Sequence, residues 1–220
     1  LAQIPGAAWG LDVKSLAFSG ELVLAGERTF ARREQWLPGL DWNPPAEEAA
    51  QRELLLRYLA GYGPATAQDF AHWSGLKMPE VRAAFTACAA ELLAVKVKSW
   101  PGEYFIRSAD EPTLQELTAD LPTVCLLPKF DPLLMGYRDK TRFIAAADLP
   151  RVYRPAAQVE AVVLVRGRAA AVWRFSNQHL KFKMSVSPFQ PLDEPAERAL
   201  CAQAGSLADF LGSMDFELSL

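Results

Sequence analysis

The hydrophobic positions between Pro45 and Arg107 follow a helical period three times and then switch to the period of strands. Leu55, Tyr58, Leu59 and Tyr62 share one face of a first predicted helix, Pro45 to Tyr62, which Gly61 and Gly63 stop. Thr66 offers a cap for a short second helix, Ala67 to Ser74, with Phe70 and Trp73 inward and Gly75 as terminator. Val81, Phe85, Cys88 and Leu92 define a third helix from about Pro79 to Leu92. Leu93 to Ser99 and Glu103 to Arg107 alternate as strands around Trp100-Pro101-Gly102. Three helices followed by a hairpin predict a winged helix-turn-helix. Such units also serve in dimerisation and domain packing, and the outward positions of the third helix, Glu80, Arg82, Ala83, Thr86, Ala87 and Ala90, offer Arg82 alone as a good reader of base edges.

The preceding residues repeat part of this order. Trp9 to Phe18 is helical in pattern, and Glu21 to Ala25 and Thr29 to Arg33 read as strands around Gly26-Glu27-Arg28. We read residues 1–43 as a partial winged helix with a linker, lacking its two leading helices, so the chain is expected to be a fragment. Residues 44–121 form the complete unit plus a trailing helix, Asp110 to Leu121. In residues 122–220 strands dominate: Thr123 to Leu127, Ala161 to Val165, Ala169 to Phe175 and Leu180 to Val186 precede a closing helix, Glu194 to Leu211, and an edge strand, Phe216 to Leu220. The expected fold class is α+β, ending in a small β-barrel or curled antiparallel sheet, since closure removes edges.

Composition changes the picture in one respect. The 220 residues are half hydrophobic and carry a net charge of −3, but Pro122 to Gln190 holds eleven Lys or Arg against four Asp or Glu, a local +7. A polyanion partner fits that excess; a scattered, solvated surface is the alternative. No apolar run approaches the roughly 18 residues of a membrane span, and no signal segment opens the chain, so a cytoplasmic protein with no membrane partner is expected. Cys88, Cys125 and Cys201 sit in apolar patterns as reduced core thiols, and His72 and His179 have no ligand spacing, so no metal or cofactor is expected. Asp131 is the one acid with a catalytic neighbourhood, beside Lys129, although an Asx-type turn before Pro132 accounts for it as well.

Arg57-Tyr58-Leu59-Ala60, Phe70 to Leu76, Leu126 to Lys140, Val165 to Arg168 and Val172-Trp173-Arg174 resemble the AlkZ-like family of winged-helix DNA-binding proteins, in the family's order. The resemblance implies tandem winged helices around double-stranded DNA, a C-terminal β-barrel, and glycosylase action on alkylated bases or interstrand crosslinks. The family's catalytic signature, Gln-x-Gln or Gln-x-Asp, is missing from these 220 residues, so no catalytic residue is carried over. Either that segment precedes Leu1 or the protein only binds DNA, as a regulator or scaffold. Candidate DNA contacts are Arg82, Lys129, Arg138, Lys140, Arg142, Arg168, Arg174, Lys181 and Lys183. A four-residue turn at Ser176 to His179 would set Phe175 opposite Leu180, Arg174 opposite Lys181, Trp173 opposite Phe182 and Val172 opposite Lys183. Arg168, Arg174, Lys181 and Lys183 would then share a face without matching acids.

Overall fold

The structure is a computed structural model that describes residues 11–27, 29–98, 100–116, 122–178, 181–213 and 215–220. The chain divides into two compact units between Ala46 and Glu47. In the first, α1 (Leu11–Phe18) leads into an antiparallel hairpin of β1 (Leu22–Gly26) and β2 (Thr29–Arg32), closed by α2 (Arg33–Trp36). Gly20 has φ +76°, and a Cβ there would stand 2.3 Å from the Trp42 ring, so this turn excludes any larger residue. The Arg33 guanidinium covers the same ring at 5.0 Å and donates to the Gly20 carbonyl at 2.9 Å.

The second unit begins with α3 (Glu47–Tyr62), α4 (Ala67–Ser74) and α5 (Met78–Ala87), then β3 (Leu92–Val95) and β4 (Tyr104–Arg107) pair as a two-stranded hairpin. Leu55, Tyr58, Leu59, Phe70, Val81, Ala84 and Cys88 form one core. α4 starts where the sequence places it, because Thr66 and Asp69 cap each other's backbone, and Gly75 ends it at φ +76°. The third helix is shorter than its pattern. It stops at Ala87, Ala89–Glu91 tightens into a 3₁₀ turn, and Leu92 pairs with Arg107 as a strand residue. No Gly or Pro marks that stop; the alanines there suit either conformation, and pairing with β4 decides.

α6 (Glu111–Glu116) follows, and residues 117–121 of the expected longer helix lie outside the described residues. The remainder is a five-stranded sheet in the order β11-β10-β9-β8-β5, with β5 (Val124–Leu127), β8 (Ala161–Val165), β9 (Arg168–Gln178), β10 (Lys181–Pro188) and β11 (Asp215–Ser219). Between β5 and β8 run α7 (Pro132–Met135), α8 (Leu149–Val152) and a small ladder of β6 (Tyr153–Arg154) with β7 (Gln158–Val159). The barrel expectation is corrected: among the described residues the sheet is open, with β11 and β5 as its edges. Both faces are covered instead. Val163, Ala171, Trp173, Phe182, Met184 and Val186 pack under α9 (Glu194–Phe210), while Val162 and Leu164 pack with Leu134, Ile144 and Val152 from the β5–β8 connection. Nor is the sheet wholly antiparallel, because α9 carries the chain back over it and β11 pairs parallel to β10.

The β9–β10 register is a second correction. Arg174 stands opposite Ser185, Trp173 opposite Val186, Phe175 opposite Met184 and Val172 opposite Ser187. Ser176 and Asn177, read as a loop, continue the strand, and the slip of four along β10 is even, so faces are preserved. His179 and Leu180 lie outside the described residues. Cys88, Cys125 and Cys201 are all free thiols; of the expected core positions Cys88 is buried, Cys125 is half-buried against the sheet core, and Cys201 is exposed on α9. No helix among the described residues is long and apolar enough to cross a membrane.

α9 lays Ala196, Leu200, Ala204 and Ala208 on the sheet, small residues at four-residue spacing around one leucine. Leu200→Ala is expected to destabilise by about 2–5 kcal/mol, whereas Cys201→Ala, one position on and exposed, stays within about 0.5 kcal/mol; denaturant unfolding of both variants checks the pair.

Candidate nucleic-acid interface

The α4 N-terminus and the β5–β8 connection are joined by a buried ion pair. Asp69 and Arg142 meet at 2.7 Å with side chains 3% and 4% exposed. Asp69 Oδ2 also accepts from the Thr66 N–H at 3.0 Å and the Thr66 hydroxyl at 2.8 Å, and Oδ1 accepts from the Arg138 N–H at 2.9 Å. Arg142 donates to the Pro64 carbonyl at 3.2 Å, and its guanidinium lies 4.2 Å from the Tyr137 ring centre, 4.8 Å from Trp100 and 5.1 Å from Tyr104. One residue therefore ties helices, hairpin and connection together. Two tyrosines add to the seam: Tyr58 donates to the Gly136 carbonyl at 2.8 Å and Tyr137 to the Tyr62 carbonyl at 2.9 Å. Burial pushes both phenols above their ordinary pKa.

The predicted cations fall into distinct environments. Arg82 is exposed on α5. Arg138 is exposed beside Thr66, Gln68, Pro101 and Tyr104, which line a groove of about 310 Å³. Arg142 is turned inward. Lys140 closes the end of α7, donating to the carbonyls of Leu134 at 3.1 Å, Met135 at 3.3 Å and Tyr137 at 2.5 Å. Its burial lowers its pKa, and burial together with Lys140 lowers that of His72, 3.5 Å away. Arg168 donates to the Arg142 carbonyl at 2.8 Å, out of the row that contains Arg174 because the β8–β9 ladder shifts between Val163 and Leu164.

Arg174 and Lys183 line one shallow groove of about 360 Å³ with Ser176, Ser185 and Glu217. The expectation of a face without acids is corrected: Glu160 holds Arg174 at 2.9 Å and Lys129 at 3.5 Å, and Glu217 on β11 holds Lys183 at 2.8 Å. Lys181 is exposed with its Cα opposite that of Asp215. Asp131 accepts the Leu133 N–H at 2.8 Å and caps α7, which is its Asx-turn role. Sequence reasoning passed over Asp69 and Glu160. The Thr-x-x-Asp spacing at Thr66 signals the first, and Glu160 is the lone acid between Asp148 and Asp193.

Burial alone would raise the Glu160 carboxyl, but the Arg174 hydrogen bond and the charges of Arg174 and Lys129 outweigh it and hold it below its ordinary value. A lowered folded-state pKa stabilises the fold fully above the ordinary carboxylate range, about 4.3, and that contribution disappears as pH falls through the folded value. The stability difference between wild type and Glu160→Gln is therefore expected to shrink as pH drops from about 5 to about 3, measured by denaturant unfolding at each pH.

A family model described as DNA glycosylase AlkZ-like matches residues 9–210. The chain is 30% identical over 210 residues to an interstrand DNA cross-link repair glycosylase of Streptomyces sahachiroi, covering 91% of this chain and 54% of that protein. It is similar in structure to Streptomyces sahachiroi DNA glycosylase AlkZ, with a TM-score of 0.76 at 25% identity, over 97% of this chain and 58% of that one. The chain thus spans about half the length of the relatives it matches. A match across nine-tenths of the residues, with the same fold, settles the lineage: the chain belongs to the AlkZ-like DNA glycosylase family.

Proposed function

We propose that this chain grips double-stranded DNA as part of a repair glycosylase acting on alkylated or crosslinked bases, with α3 to α5 and the β3–β4 hairpin working as a winged helix-turn-helix. The observation that carries this reading is the family match over residues 9–210. It is supported by exposed cations on rigid elements: Arg82 on α5, Arg138 beside the α4 N-terminus, and Lys181, with Lys129, Arg174 and Lys183 adding charge once phosphates compete with their acids. Lys140, Arg142 and Arg168 serve the same surface indirectly by fixing the backbone that presents it.

Excision requires the modified nucleotide to be exposed before its glycosidic bond is cut. Asp131 is committed to capping α7, and no Gln-x-Gln or Gln-x-Asp occurs in the 220 residues, so the reading assigns this chain the grip and no catalytic group. A sequence-specific regulator is the weaker alternative, because α5 turns Ala83, Thr86 and Ala87 outward around Arg82 and has few donors for base edges.

Backbone gripping predicts a duplex affinity that falls with salt and varies little among unrelated sequences. Arg82→Ala and Arg138→Ala should each reduce the slope of log K against log salt by about 0.9, read by duplex titration at several salt concentrations. Unchanged slopes in folded variants, or a strong consensus from binding-site selection, would overturn the reading.

A further inference from the structure

We propose that the turn Lys129-Phe130-Asp131 presents Phe130 as a stacking platform for an unpaired nucleobase, an inference that rests on the DNA-gripping reading and adds a base contact to it. Phe130 has φ +58°, a left-handed conformation that bulky side chains rarely adopt. Nothing in the core rewards the strain. The ring is 43% exposed and lies outside all three hydrophobic clusters. A polar residue or glycine would make this turn more comfortably.

The turn is nonetheless held firmly. The Phe130 N–H donates to the Val159 carbonyl at 3.4 Å, the Asp131 N–H to the Pro128 carbonyl at 3.3 Å, and the Asp131 carboxylate receives the Leu133 N–H at 2.8 Å. The ring is therefore carried on fixed backbone. Strain concentrated on an exposed residue within a rigid frame is a feature of ligand contacts.

The chemistry of the surroundings selects the ligand. Phe130 offers a π-face and no hydrogen-bond group, so it distinguishes a flat apolar surface and nothing finer. Lys129 precedes it, and Lys129 and Arg174 converge on Glu160 next to Val159, the residue that holds the Phe130 backbone. An aromatic residue on a turn whose sequence and hydrogen-bond neighbours lead to cations suits a base joined to its phosphates: the ring stacks and the ammonium and guanidinium groups take the backbone. A base inside a duplex has both faces covered by its neighbours. The platform therefore fits a base that is already unpaired or extruded.

The test compares wild type, Phe130→Gly and Phe130→Trp on a paired duplex and on the same duplex carrying one unpaired base. Phe130→Gly relieves the left-handed strain, so its Tm is expected to equal or exceed that of wild type. Its affinity for the bulged duplex is expected to fall about tenfold, with the paired duplex within about twofold and the salt slope unchanged, because stacking releases no counterions. Phe130→Trp should restore the preference for the bulge. Wild-type affinity of Phe130→Gly for the bulged duplex, or a lowered Tm, would overturn the proposal while leaving salt-dependent duplex binding intact. Wild-type protein that shows no salt-dependent duplex binding would instead defeat the underlying reading, and the platform with it.

Discussion

The second unit depends on a carboxylate and a guanidinium that have both left water. Removing Asp69 and Arg142 from solvent is costly, and their attraction offsets that cost with the help of further donors to the carboxylate and ring faces around the guanidinium, while the Arg142 Nε–H stays buried without a hydrogen-bond partner. Four donors converge on Asp69, and three aromatic rings surround Arg142. Those partners come from α4, from the hairpin and from the segment between β5 and β8. Losing either charge would leave the other stranded in a low-dielectric interior, so the α3–α5 helices and the sheet are coupled within one unit.

This constraint also sorts the cations. The positive excess of residues 122–190 looks like a uniform basic surface when counted along the chain, yet Lys140, Arg142, Arg151 and Arg168 are tied to backbone carbonyls or to Asp69. Lys140 and Arg168 compensate helix-end and loop carbonyls, and Arg142 is the centre of the seam. Glu160 and Glu217 temper three more without burying them, since Arg174, Lys129 and Lys183 remain more than half exposed. A surface built this way holds its charges in fixed positions through weak, solvent-screened pairs.

Much of the architecture was legible in the sequence because local signals and tertiary packing agree. The Thr66 cap and Gly75 fix both ends of α4, Asp193 starts α9, and the alternation of Phe182, Met184 and Val186 fixes the buried face of β10. Where a long-range partner decides, the pattern was silent. β8 reads as an unbroken apolar run, and only the presence of α9 on one face and α7–α8 on the other explains why it lies inside an open sheet. The parallel β11 depends on the crossover of α9, and the stop of α5 at Ala87 on pairing of Leu92. At the candidate site, residue type located the cations but not their acids: Asp69 and Arg142 are 73 positions apart, and Glu160, which meets Arg174, sits in the link between β7 and β8.

The measurement that tests the seam most directly is a double-mutant cycle on unfolding free energy with Asp69→Ala, Arg142→Met and the double variant. Each single change is expected to cost about 3–5 kcal/mol by stranding a buried charge, and the double variant to cost less than their sum by about 2–3 kcal/mol. Additivity within about 0.5 kcal/mol would contradict the account, because it would mean that the two groups contribute independently and that the pair does not join the helices to the sheet.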